Sequence, residues 1–145
     1  GAGVGSLSQV EGRLQIDIVN SPETNMAVWT PISFRANYVG AQTDTAIIST
    51  VPGKAIAVTM ITVAASNYNT VNVSVVIGFG LITTPIDDGV ILAHPGLAPG
   101  SGMIEGIGSV NLIGVGGDGE DLRITSSIPT GGSIDAVVTY FLIDI

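Results

Sequence analysis

The sequence predicts an all-β fold: an antiparallel jelly-roll sandwich or barrel with an extended N-terminal arm. Three observations carry that expectation. Short segments alternate apolar and polar residues with period two, the mark of half-buried strands. They recur about every 8–14 residues with Gly, Pro or Asn between them, as sandwiches and barrels require. Finally, 20 glycines and 7 prolines are spread along 145 residues, and no stretch has convincing helical periodicity.

Residues 1–12, opening Gly1-Ala-Gly-Val-Gly-Ser6, are rich in small residues and read as a flexible arm, neither a signal peptide nor a transit sequence. Residues 13–145 then form a single sandwich domain. In its first strand, Leu14, Ile16 and Ile18 alternate with Arg13, Gln15 and Asp17. Asn20-Ser-Pro22 stops it. Ala27-Val-Trp29 and Ile32-Ser-Phe34 are short apolar pieces split by Pro31, at best edge strands. Thr45–Thr50 is β-branched and extended. Val51-Pro-Gly53 is a turn, with Pro at its first corner and Gly at its second.

The long strand from Lys54 to Val63 sets Ile56, Val58 and Met60 on one face and Ala57, Thr59 and Ile61 on the other. Ser66–Asn69 turns the chain, and Val71, Val73 and Val75 alternate with Asn72 and Ser74, predicting a hairpin with the preceding strand. Further strands are expected at 79–84, 89–92, 103–105, 109–113 and 120–126. The closing strand, 133–145, is apolar on both faces. Ile134, Ala136, Val138, Tyr140 and Leu142 oppose Val137, Phe141 and Ile143, and a second apolar face calls for a second cover. Leu14, Ile16, Ile18, Val137, Phe141 and Ile143 are therefore the candidate interface residues, with a trimer as the expected closed assembly.

Charged residues make up only 11% of the chain, against about 25% in ordinary domains. Four Lys/Arg against twelve Asp/Glu give a net charge of −8. The cations Arg13, Arg35, Lys54 and Arg123 are scattered, which excludes a nucleic-acid footprint and disfavours an anionic membrane surface. No cysteine is present, and no apolar run reaches the roughly 18 residues of a membrane helix.

A chain with one histidine and no cysteine has neither Cys–His catalysis nor a multi-His metal site. His94 sits in the turn-rich run Ala93-His-Pro-Gly-Leu-Ala-Pro-Gly100 and reads as an ordinary loop histidine. Gly114-Val-Gly-Gly-Asp-Gly119 has the spacing of a dinucleotide fingerprint, but a strand-like segment follows where a helix must open. The same stretch matches the start of a calcium-binding nonapeptide repeat only once, with Arg123 at the apolar position. Gly53-Lys54 lacks the rest of a phosphate loop. Asp87 and Asp88, with Asp118, Glu120 or Asp121, could gather round Ca²⁺, although two adjacent loop acids are more often simply solvated. Asn72-Val-Ser74 is a glycosylation sequon by pattern, placed inside an expected strand. No catalytic set stands out, so the chain is expected to be non-enzymatic and without cofactor.

The run Pro52-Gly-Lys-Ala-Ile-Ala-Val-Thr-Met-Ile-Thr-Val-Ala-Ala65 resembles the opening of a barrel common among small tailed-phage virion proteins. The likeness continues through Val71-Asn-Val-Ser-Val-Val-Ile-Gly78 and Leu97-Ala-Pro-Gly-Ser-Gly102. It is sharpest in Gly119-Glu-Asp-Leu-Arg-Ile-Thr-Ser126 and Gly132-Ser-Ile-Asp-Ala-Val-Val-Thr-Tyr-Phe141. Over residues 43–145 the chain resembles the head-decoration (cement) jelly rolls of tailed phages. The resemblance implies a homotrimer on the outer surface of the virion capsid, bound to the major capsid protein and often reaching a neighbour by its N-terminal arm. The other expectations are a tail-fibre or receptor-binding module, for which Trp29 and three tyrosines are the available aromatics, and a cell-surface filament subunit that donates residues 7–19 as a strand.

Overall fold

The computed structural model describes residues 30–106 and 112–145. The expected arm over 1–12, the strand over 13–19 with Leu14, Ile16 and Ile18, the Ala27–Trp29 piece and residues 109–111 lie outside them. The described chain is all β, in two antiparallel sheets that form a sandwich. Its strands are β1 (Ile32–Tyr38), β2 (Gln42–Ile48), β3 (Lys54–Ala65), β4 (Val73–Phe79), β5 (Val90–Leu97), β6 (Gly102–Gly106), β7 (Gly114–Val115), β8 (Leu122–Ser126) and β9 (Ile134–Asp144).

One sheet runs β1-β9-β3-β6, with β7 also on β3; the other runs β2-β8-β4-β5. The pairings nest. β4 pairs with β5, β3 with β6 and β7, β2 with β8, and β1 with β9, as in one long antiparallel ribbon closed at its β4–β5 end. Two more ladders, β3 with β9 and β4 with β8, join the ribbon laterally into the two sheets.

The inward faces supply the core. Ile56, Val58, Ile61 and Val63 of β3 and Ile134, Ala136 and Val138 of β9 meet Val73, Val75 and Ile77 of β4 and Leu122 and Ile124 of β8. Every one of these side chains is fully buried. Burying a Val, Leu or Ile side chain is worth roughly 1.5–3 kcal/mol, so this two-layer apolar slab is what holds the sheets together.

The turn at Val51–Gly53 forms as its residues dictate. Lys54 N donates to Val51 O at 3.1 Å, and Gly53 takes φ +89°, the second-corner conformation that favours glycine. The turn at 66–69 also forms, with Asn69 N donating to Ser66 O at 3.1 Å. Its flanking strands are not hairpin partners, however. β3 lies in one sheet and β4 in the other, so their apolar faces meet across the core. Alternation marks a strand but not which strand lies alongside it.

The long strand departs from the expected faces too. Val58 pairs with Tyr140 but Met60 with Thr139, so Thr59 is an extra residue, a β-bulge. The bulge shifts the inward set from Ile56 and Val58 to Ile61 and Val63, and Met60 leaves the core face. Thr59 is fully buried and its hydroxyl donates to Thr139 O at 3.2 Å.

Other boundaries differ from the expected ones. The 79–84 segment is not a strand: β4 ends at Phe79, Gly80 has φ +77°, and Ile82 is a buried loop anchor. β5 runs on through His94 and Pro95 to Leu97, because β5 is an edge strand and tolerates a residue without an N–H. His94 is thus a strand residue; its Nδ1 accepts from Gly96 N at 3.0 Å. Leu112 and Ile113 precede the two-residue β7 rather than belonging to a strand.

Candidate functional site

The loop 80–89 and the segment 114–120 enclose a cleft of about 600 Å³ at one end of the sandwich. Leu81, Ile91 and Val115 line it together with three carboxylates, Asp87, Asp88 and Glu120. Two of the carboxylates are already engaged. Asp87 Oδ2 accepts from the amides of Thr83 and Thr84 at 2.8 and 2.9 Å. Glu120 Oε1 accepts from Gly117 N at 2.7 Å. These bonds to the charged form, Thr84 first and then Thr83, hold the Asp87 carboxyl below the usual carboxylate range.

The other acids that the sequence suggested as calcium ligands are also loop staples. Asp118 Oδ1 accepts from Gly53 N at 2.6 Å, and Asp121 Oδ1 from Thr50 N at 3.0 Å. Among the described residues no three His, Asp or Glu side chains gather as a metal ion would need. Each of these carboxylates ties its loop to the turn before β3 and satisfies a backbone N–H that would otherwise need water.

Below the loop lies a network that sequence reasoning missed. Asp44 stands in a register shift of β2 at φ +49°, a left-handed conformation that Asp tolerates better than most residues. Its amide donates to Thr125 Oγ1 at 2.9 Å, while its Oδ1 accepts from Ile82 N at 3.3 Å. The Thr125 hydroxyl donates to Ile82 O at 2.7 Å. Both backbone groups of Ile82 are thereby held, and its side chain is wholly buried. Arg123 Nη1 donates to Asp44 O at 2.9 Å, and the guanidinium also lies 3.7 Å from the carboxylates of Asp44 and Asp121. Only the unusual backbone of Asp44 could have flagged this network, and φ is not written in a sequence.

The remaining expected site residues are dispersed. Gly114–Val115 pairs with β3 and is followed by β8, so no helix opens after the glycine-rich run. Asn72 is exposed one residue ahead of β4 rather than inside it. On the outward face of β9, Val137 and Ile143 are half-buried, whereas Phe141 is only 7% exposed. Phe141 therefore has its cover within the chain. Beside them Asp135 accepts from Asn37 Nδ2 at 2.6 Å and from Arg35 at 2.9 Å, which holds its carboxyl below the usual range. Burial raises the phenol pKa values of Tyr38 and Tyr140.

No protein-family model and no curated protein matches the sequence.

The Asp87 staple carries a pH dependence. Its folded-state pKa is depressed, so it stabilises the closed loop above the carboxylate range, and that contribution is lost as pH falls through the lowered pKa. An NMR titration of the Thr83 and Thr84 amides is expected to show a midpoint below that of a free aspartate. A midpoint at the ordinary value would show that the staple is open in solution.

Proposed function

We propose that this chain is a virus structural protein, a jelly-roll decoration protein that sits as a homotrimer on the outside of a tailed-phage head and bridges its capsomers. The observation that carries the reading is the strand order. Nested pairing of β1 with β9, β2 with β8, β3 with β6/β7 and β4 with β5 gives the two sheets β1-β9-β3-β6 and β2-β8-β4-β5. That order supports a double Greek key, the jelly roll, an architecture shared by many capsid domains. The segments that resemble decoration proteins occupy its centre: the Gly53-Lys54 turn leads into β3, and Leu122–Ser126 and Ile134–Asp144 are β8 and β9.

The outward face of the β9–β3 sheet supports the assembly. Val137 pairs with Thr62 and Thr62 with Ile104, so the rung is uncharged across β9, β3 and β6 and carries its one charge at the β1 edge, where Arg35 pairs with Val137 and is neutralised by Asp135. Val137 and Ile143 retain area to bury against a neighbour; Phe141 contributes little more. The mechanism is mechanical. A standard interface of about 1,600 Å² repeated over a lattice multiplies a modest pairwise affinity into resistance to internal pressure.

Gold-labelled antibody against the chain, applied to intact particles, is expected to mark the head surface. Label confined to the tail, or to filaments on cells, would overturn the reading. Light scattering of the free protein is expected to give three times the monomer mass; a stable monomer at micromolar concentration would remove the trimer.

A further inference from the structure

The loop 80–89 carries two isoleucines in opposite situations. Ile82 is fully buried, yet Ile86 is 89% exposed and Leu81 71% exposed. Bare aliphatic side chains on a slack loop would fold inward, but this loop is tied down along its length. Ile82 N and O are held by Asp44 and Thr125. The amides of Thr83 and Thr84 are held by Asp87. Asp87 N donates to Thr84 O at 3.3 Å and Val90 N to Asp87 O at 3.1 Å, while Phe79 N donates to Gly89 O at 2.9 Å and closes the base. The anchors fix the backbone that presents Ile86 and Leu81 to solvent. Exposed apolar groups on a preformed element mark an interaction site, since most of the ordering cost of binding is already met.

We propose that this loop is a docking element that seats Ile86 and Leu81 in an apolar pocket of a protein surface whose rim carries Lys or Arg. Charge decides the partner. Leu81 shares its cleft with Asp87, Asp88 and Glu120, Ile86 directly precedes Asp87 in the chain, and no cation is among the described residues that line the cleft. The cleft pairs these acids with the apolar groups of Ile91 and Val115, which suits the aliphatic stem and charged head of a partner's Lys or Arg. A second copy of the chain does not supply that rim from its described residues, where Arg35, Lys54 and Arg123 are each engaged in ion pairs with Asp135, Asp144, and Asp44 and Asp121. A different protein is therefore the occupant proposed. For its identity the inference rests on the decoration reading, which makes it the capsid surface.

The test measures binding of the purified chain to heads assembled without it, comparing wild type with Ile86→Ser, Leu81→Ser and Asp88→Asn. Both apolar positions are exposed, so melting temperatures are expected to stay unchanged. Ile86→Ser or Leu81→Ser is expected to weaken binding about 30-fold, the scale of an interface hot spot. Asp88→Asn is expected to slow association and flatten its salt dependence, as loss of a rim charge does. Wild-type binding that both serine variants match would overturn the docking loop and leave the decoration reading standing. Failure of the wild-type chain itself to bind heads would overturn the decoration reading, and the capsid as partner with it.

Discussion

Truncating Ile77 to alanine is expected to destabilise the fold by about 2–5 kcal/mol, as much as any single aliphatic truncation in this core. Ile77 is fully buried at the middle of β4, where it pairs laterally with Leu92 on one side and Ile124 on the other. Both neighbours belong to strands fixed by ladders, so the cavity cannot collapse cheaply, and the cost falls toward the upper part of that range. In a domain of this size the melting temperature should fall by roughly 10 °C. Calorimetry of Ile77→Ala beside Ile145→Ala, whose side chain is 70% exposed, provides the comparison. Equal melting temperatures for the two variants would contradict a core shared by the two sheets.

The second large effect is expected at Gly106, for two separable reasons. Its φ is +82°, and a Cβ there would run into the carbonyl oxygen of Thr59, the bulged residue of β3. Backbone strain of this kind costs on the order of 1–3 kcal/mol, and overpacking against a rigid neighbour a similar amount. Two other glycines isolate the contributions. Gly53 has φ +89° with nothing within 4 Å of a Cβ, so Gly53→Ala meets the conformational cost alone. Gly102 has no positive φ, but its Cβ would lie 2.6 Å from Val63 O, so Gly102→Ala meets the steric cost alone. Urea midpoints at constant m-value are expected to rank Gly106→Ala as the most destabilised of the three, by about 3 kcal/mol relative to the parent. A Gly106→Ala variant no worse than Gly53→Ala would mean that the bulge yields.

Much of the sandwich was legible because its causes are local. Val73, Val75 and Ile77 alternate with their neighbours, and Val51-Pro-Gly53 carries its own turn geometry. The closing strand stands out by apolar residues on both faces; Ile134, Ala136, Val138 and Tyr140 of one face are buried, whereas Leu142 of that face is 39% exposed. What stayed hidden depends on distant partners. β3 and β4 read as a hairpin because they are consecutive, yet β3 lies between β9 and β6 and β4 between β8 and β5, so each has a lateral partner far along the chain. The Thr59 bulge exists because β3 must match β9 and β6 at once, which no period-two count over 54–63 can reveal. Asp87, Asp118, Glu120 and Asp121 were legible as acids in loops. Their work as acceptors for backbone amides was not, since the donors to Asp118 and Asp121 lie on the turn before β3. Nothing in the sequence singles out Asp44, because its role is defined by Ile82 and Thr125, one loop and one strand away.

The nested pairing has a consequence for how the chain acquires its shape. Ile32 has Tyr140 as its ladder partner, and Tyr38 has Ile134. As the polypeptide leaves the ribosome, β4 and β5 can close first, and each further pair must wait for a later segment. Among the described strands β1 has no lateral partner until β9 is out, and the central ladder between β3 and β9 waits equally long. Loops that long add entropy cost before any contact repays it, so folding belongs to the slow, non-local class. During that interval the apolar edge of β3 stands open, and the nascent protein is at its most vulnerable to pairing with other copies of itself.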